Sequence, residues 1–367
     1  MYQYHINSVH VEVTDRCNAE CPACPRSFGG GSVMPYVKNE ELSLDYFKLI
    51  GDDFCSKINK WNFCGTKGDP SSAQDLFPIL EYLLECNPNT SIDIRTNGGA
   101  RNENFWKRVG DLFLNTNCRV VWSIDGLEET NHIYRKNVKW KKLYKNLMTY
   151  IRTGAKSQWE FSHFAHNDKD IPVVEFFCKK HNIELIIREP FGFETHTDQE
   201  GIFTKHKTMG VYEKDESDPN NSILSYEIRP YGVDEKLIVE GTNTKTWNIG
   251  NYNPGVYDKE VWKDVGKQDI DIDCKVSSTQ WDHEIYIDSS GLILPCCYIA
   301  SKYMMGDEQL LEMFEPYVDE LLVTNQRTIY DVLNHNVFVK TMPKAMEGTL
   351  EDGVGYCVTC IQHCKKR

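Results

Sequence analysis

The sequence predicts an α/β protein built as an open, partial (β/α)6 barrel. Three observations carry that reading. Short β-branched runs alternate with runs of helical period from the N-terminus to about residue 190. The alternation repeats six times. It stops at about residue 195, where turn-forming residues take over.

The elements follow in order. "SVHVEVT" (8–14) reads as a strand, and "LSLDYFKLIGDDFCSKI" (42–58) as one helix by its apolar spacing. "KWNFCG" (60–65) is the second strand, and "DLFPILEYLLEC" (75–86) a helix closed by "NPN". "SIDIRT" (91–96) and "NENFWKRVGDLFL" (102–114) form the third pair, then "CRVVWSID" (118–125) and "WKKLYKNLMTYIRTG" (140–154) the fourth, with Gly154 as its stop. "QWEFSHF" (158–164), "IPVVEFFCKKHN" (171–182) and "IELIIRE" (183–189) complete the series. Each crossover helix returns the chain to the same edge, so the strands run parallel. Six units are too few for a closed eight-stranded barrel and enough for a partial one. In such a sheet the reactive groups gather at the C-terminal strand ends.

Residues 1–195 are therefore expected to form the barrel, and 196–270 an irregular insertion over the site, carrying Trp247, Tyr252, Tyr257 and Trp262. Residues 271–367 form a smaller C-terminal unit. It opens with a hairpin in "HEIYIDSSGLILPCC" (283–297) and continues into a helix over "TIYDVLNHNVFVKTM" (328–342).

Composition excludes several classes. Forty-one Lys and Arg against 54 Asp and Glu give a net charge of −13, which disfavours general binding to nucleic-acid backbones. No stretch reaches the roughly 18 apolar residues of a membrane helix. The N-terminus lacks the basic and apolar regions of a signal peptide, so a cytoplasmic setting is expected. Fourteen cysteines in 367 residues are many, and nine cluster near the two ends. In a chain of this kind, clustering favours metal or iron–sulfur ligation over disulfides.

The first cluster is "TDRCNAECPACPRS" (14–27), with Cys17, Cys21 and Cys24 at C-x3-C-x2-C spacing after the first strand. Structural zinc sites use two close pairs separated by a longer gap, and the next cysteine here lies 31 residues on. Buried structural cysteines are a poor match to a loop with two prolines and "GGG" nearby. The better reading is a 4Fe–4S cluster held by three thiolates, with one iron open for a substrate or cosubstrate; simple electron carriers use four.

"CNAECPAC" resembles the signature of the radical S-adenosylmethionine superfamily, and it stands where that family places it. The resemblance implies that the amine and carboxylate of S-adenosylmethionine fill the open corner. One electron then breaks a C–S bond, and the 5′-deoxyadenosyl radical takes a hydrogen atom from the substrate. "FCGTKGDP" (63–70) resembles the family's Gly-Gly-Glu-Pro loop, which assigns Gly68 and Asp69 to the cosubstrate amine, with Asp standing where Glu is usual. "TNG" assigns Thr96 and Asn97, "SIDG" assigns Ser123 and Asp125 to the ribose or carboxylate, and Arg135 falls where relatives hold the carboxylate. An arginine fork suits that bidentate task. Alone, each short match reads equally as a turn or a solvated residue; their order at successive strand ends gives them weight.

The pattern Cys274, Cys296, Cys357 and Cys360 resembles the SPASM/Twitch extension of that superfamily, which implies one auxiliary 4Fe–4S cluster that relays an electron. Cys297 and Cys364 are left over and are alternatives to Cys296 and Cys360; a four-cysteine zinc site is the competing reading. Cys55, Cys86 and Cys178 are expected in the core, Cys118 borders a strand, Cys64 stands near the mouth, and His163, His166 and Asn167 follow the fifth strand as possible pocket residues.

The expected activity is hydrogen abstraction from a peptide or protein side chain, with flavodoxin or ferredoxin as reductant. The chain reaches its first strand by about residue 8 without a leader-binding domain, which weakens the ribosomal-peptide version of that reading. The alternatives are a dehydrogenase or epimerase of a sugar-like metabolite and a non-catalytic iron–sulfur or zinc module.

Overall fold

A computed structural model describes residues 6–27, 29–190, 194–196, 203–205, 209–218, 221–232, 246–248, 272, 283–352 and 355–364. Cys274, Tyr252, Tyr257 and Trp262 lie outside the described residues.

Six parallel strands appear in the expected order: β1 (Ile6–Val11), β2 (Lys60–Phe63), β3 (Ser91–Thr96), β4 (Arg119–Ser123), β5 (Lys156–Ser162) and β6 (Glu184–Arg188). Between them run α1 (Leu44–Ile50), α2 (Asp52–Lys57), α3 (Leu76–Cys86), α4 (Glu103–Phe113), α5 (Asn131–Tyr134), α6 (Trp140–Ile151) and α7 (Ile171–His181). The mixed α/β fold with a parallel central sheet is the expected one.

The two faces of the sheet differ in kind. Val9, Val11, Trp61, Phe63, Ile92, Ile94, Val120, Trp122, Trp159 and Phe161 are buried in the core that the helices cover. Trp122 packs on Trp106 of α4 at 4.8 Å and on Tyr150 of α6 at 5.7 Å between ring centroids. Burying each such side chain contributes about 1.5–3 kcal/mol. The intervening residues, one pleat apart, are polar except Val121: His10 and Glu12, Asn62, Asp93 and Arg95, Arg119 and Ser123, Gln158 and Glu160. Parallel strands buried on both faces are usually apolar throughout. A polar inner wall marks a lumen that holds something.

Three details differ from expectation. The 42–58 helix is two helices, broken at Gly51, whose φ of +100° lies outside helical space and whose N–H caps Phe47. The 328–342 helix is α10 (Ile329–Leu333), then a π-helical turn over Val337–Thr341, then α11 (Met342–Glu347). Its helical spacing is real, but Asn334 ends the first piece with ψ near 1°.

The third difference concerns the C-terminal hairpin. Its strands β12 (His283–Ile287) and β13 (Ile293–Leu294) extend the barrel sheet, giving the order β13-β12-β1-β2-β3-β4-β5-β6. β12 runs parallel to β1, so Tyr286 and Asp288 reach the same end of the sheet as the cysteine loop. After β6, β7 (Glu194–His196) pairs antiparallel with β8 (Phe203–Lys205), and β9 (Met209–Lys214), β10 (Asn221–Ile228) and β11 (Thr246–Asn248) form a separate antiparallel sheet. β9 touches the barrel through Tyr212 N–H, which donates to Gly29 O at 2.7 Å.

Candidate active site

The C-terminal ends of β1 to β4 surround a cavity of about 380 Å³. Cys17, Cys21 and Cys24 line it, with Gly68, Asp69, Thr96, Asn97, Ser123 and Arg135. Nine residues chosen from the sequence therefore meet in one place.

The cysteine loop is held from several sides. Thr14 Oγ1 donates to Glu40 O at 2.8 Å, Arg16 pairs with Glu41 at 2.9 Å, and Asp15 accepts from the Lys38 N–H at 2.8 Å. Inside the loop the Cys24 N–H donates to Cys21 O at 3.0 Å. The sulfurs themselves accept hydrogen bonds. The Ala19 N–H lies 3.3 Å from Cys17 Sγ, Asn97 Nδ2 3.6 Å from the same atom, and Arg135 Nη1 3.7 Å from Cys21 Sγ. Burial raises all three thiols above their ordinary range. Asp69 and the neighbouring sulfurs add to the effect at Cys17, and Cys24 is pushed up to about 12.

Three sulfurs facing one cavity, with N–H donors already aimed at two of them, fit a thiolate-bound iron–sulfur cluster. Such clusters bind thiolates, and hydrogen bonds to the sulfurs tune them. Among the described residues no three His, Cys, Asp or Glu side chains close on a single ion.

Gly68 cannot be anything larger, since a Cβ there would stand 1.8 Å from Thr14 O. Its N–H and that of Lys67 donate to Glu12, 3.0 Å away for Gly68. Glu12 is fully buried, also accepts from Tyr286, and has its carboxyl raised by burial. Glu12 is a functional-site residue that sequence reading passed over. Its signal was an acid two residues past His10 on the polar face of the first strand, at its end.

Two assigned residues do structural work. The Asp69 carboxylate accepts from the Ser71 N–H (2.9 Å) and Oγ (2.6 Å), from Thr96 Oγ1 (3.0 Å) and from the Asn97 N–H (2.8 Å). It ties the end of β3 to the β2 loop and presents Asn97 to Cys17. Asp125 does not line the cavity. It is fully buried, accepts from Arg135 Nε at 2.5 Å and from the Ser162 N–H at 2.6 Å, and thereby aims the Arg135 fork. Asp125 and Cys21 hold Arg135 firmly charged against its burial.

Cys64 lies on the cavity wall, as expected, with its thiol pushed up to about 12 by burial. Cys297 lines the cavity too, beside Tyr298 and Ser301 of α8 (Cys297–Met304). Cys296 caps that helix, and Cys296, Cys297 and Cys364 all act on the Tyr298 phenol. Cys364 ends α12 (Val358–Cys364); Cys357 and Cys360 at its start are buried. Of the described C-terminal cysteines, Cys297 is the one on the cavity wall. His163, His166 and Asn167 are not among the described cavity residues. His163 pairs with Asp168 at 2.9 Å, and Asn167 bridges Asp125 O and Ser162 O.

No model of a known protein family matches the chain. Its sequence is similar to GTP 3′,8-cyclase of Staphylococcus aureus (strain JH9), with 26% identity over 235 residues, 62% of this chain and 67% of that protein. That similarity supports the radical S-adenosylmethionine reading of the cysteine loop. The chain is accordingly an enzyme. Solved structures similar to it include Streptococcus suis SuiB bound to the precursor peptide SuiA, at 12% identity and a TM-score of 0.48, covering 97% of this chain and 76% of that one. Another is BtrN in complex with AdoMet and 2-DOIA, at 11% identity and a TM-score of 0.42, covering 95% and 89%. Among the described residues no helix is long and apolar enough to cross a membrane.

Proposed function

We propose that the cavity holds a 4Fe–4S cluster on Cys17, Cys21 and Cys24, binds S-adenosylmethionine, and abstracts a hydrogen atom from a peptide or protein side chain. The observation that carries this reading is the meeting of the three sulfurs with Asn97 and the Asp125-held Arg135 at one cavity. A cluster held by these three cysteines would, once reduced by an external one-electron donor, supply the electron for reductive cleavage of the sulfonium C–S bond.

The chain's own residues bind, orient and shield. Arg135, with Nε taken by Asp125, offers the rest of its fork to the cosubstrate carboxylate. Asn97 and Ser123 face the same space from β3 and β4. Gly68 lets the β2 loop approach the cysteine loop closely, and the buried Glu12 fixes that loop by its N–H groups. The apolar outer face of the sheet keeps water from the wall behind the site.

The C-terminal cysteines are proposed to hold an auxiliary cluster that relays an electron, from Cys274, Cys296, Cys357 and Cys360, with Cys297 or Cys364 substituting. Its place, next to the cavity through Cys297 and Tyr298, supports an exchange with the substrate. A small polar metabolite is the second reading, favoured by the charged lumen wall around Arg95 and Glu160.

The test is anaerobic reconstitution with iron and sulfide, reduction by dithionite, and quantification of 5′-deoxyadenosine. Formation in the intact protein and loss in Cys21→Ala are expected. Iron-loaded protein that leaves S-adenosylmethionine uncleaved would overturn the reading.

A further inference from the structure

Arg95 occupies a distinctive place. Alternation along β3 puts Asp93, Arg95 and Asn97 on the lumen face. Asn97 reaches Cys17 Sγ, and the Arg95 backbone sits one pleat repeat back along the strand, about 6.6 Å from that of Asn97. Arg95 lines the same cavity.

Its fork is only partly used. Nη1 donates to Glu160 Oε1 at 2.5 Å, and Nε lies 3.4 Å from Asn62 Oδ1. The same Glu160 oxygen accepts from Arg188 Nη2 at 2.7 Å. One carboxylate oxygen thus serves two guanidinium groups. Among the described residues Glu160 and Asn62 are the hydrogen-bond partners of Arg95, so Nη2 stays unclaimed and five donors serve two acceptors. The next pair down the lumen is the contrast: Asp93 closes Arg119 through both oxygens, at 2.9 and 3.0 Å. In a chain of net charge −13, an arginine left open at the floor of the active cavity attracts the one class of group that the surface repels. With its side chain 23% exposed, Arg95 acts in a setting where charge-assisted hydrogen bonds are strong.

We propose that Arg95 anchors an anionic group of the substrate, a carboxylate or phosphate, while Glu160 aims the guanidinium and tempers its charge. This rests on the radical reading above, because that reading makes the cavity a substrate site. An acidic side chain of a peptide, a free dicarboxylate and a phosphate ester offer the same chemistry.

The experiment is calorimetric titration of the reconstituted protein, saturated with S-adenosylmethionine, with three probes: N-acetylglutamate methylamide, glutarate and inorganic phosphate. At least one should bind, and the tightest names the source. Arg95→Gln should weaken it about tenfold, Arg95→Lys should fall between, and Glu160→Gln should tighten it severalfold by freeing the fork. A merely structural pair would not give opposite signs for its two members. Should Arg95→Gln fail to fold, Arg95→Lys and Glu160→Gln decide. No binding by the wild type, or affinities within twofold across the folded variants, overturns the proposal. Wild-type 5′-deoxyadenosine formation is measured alongside: its absence defeats the radical reading, whereas the titration judges Arg95 alone.

Discussion

The cysteines at 17–24 and those beyond residue 290 are both clusters in the sequence, yet the fold treats them differently. The first three sit in one loop whose ties are local, and all face a single cavity. The second set spans a strand end, the start of α8 and both ends of α12. Short spacing fixes mutual geometry by itself. Long spacing leaves the geometry to the packing of whole elements, and there the choice among Cys296, Cys297, Cys360 and Cys364 is made by three-dimensional neighbours.

The sharpest way to break this contrast is to remove one set. Changing Cys17, Cys21 and Cys24 to Ala should abolish 5′-deoxyadenosine formation and leave the C-terminal iron in place, read by iron analysis. Loss of all iron would show that the sets are not independent. Cys357→Ala should do the reverse, losing only the auxiliary iron while cleavage of S-adenosylmethionine persists.

A smaller effect tests what holds the first set. Asp125→Asn leaves the buried Arg135 without its carboxylate, which should cost about 3 kcal/mol in chemical denaturation and raise KM for S-adenosylmethionine. A stability change below about 1 kcal/mol would show that Arg135 is not held as described.

The smallest is a pH effect away from either set. His166 is lowered from 6.5 to about 4, chiefly by burial. The unfolded chain takes up its proton first, so this contribution is present above pH 6.5 and is lost as the pH falls toward 4. His166→Asn should flatten the acid limb of the stability curve between those values; an unchanged limb would contradict the assignment.

The comparison also explains what could be read from residues alone. β3 was legible to the residue because "SIDIRT" is bounded by turn formers on both sides. The 42–58 helix was not, because its period continues across Gly51, and only the backbone shows the break. The cavity residues from Cys17 to Ser123 were legible because they stand at or soon after strand ends, whereas Arg135, which caps α5, was legible through the resemblance. Glu12 and Arg95 were not: one stands just past the end of β1 and the other inside β3, and their meaning lies in partners 33 to 274 positions away. That β12 joins β1 was hidden for the same reason, since pairing partners leave no local signal.

The central claim is that three thiolates leave one iron for S-adenosylmethionine. Electron–nuclear double resonance on the reduced, reconstituted protein, with S-adenosylmethionine carrying ¹⁵N in its amine and ¹⁷O in its carboxylate, tests it directly. Both labels should couple to the cluster. A cluster signal that shows neither coupling would contradict the account.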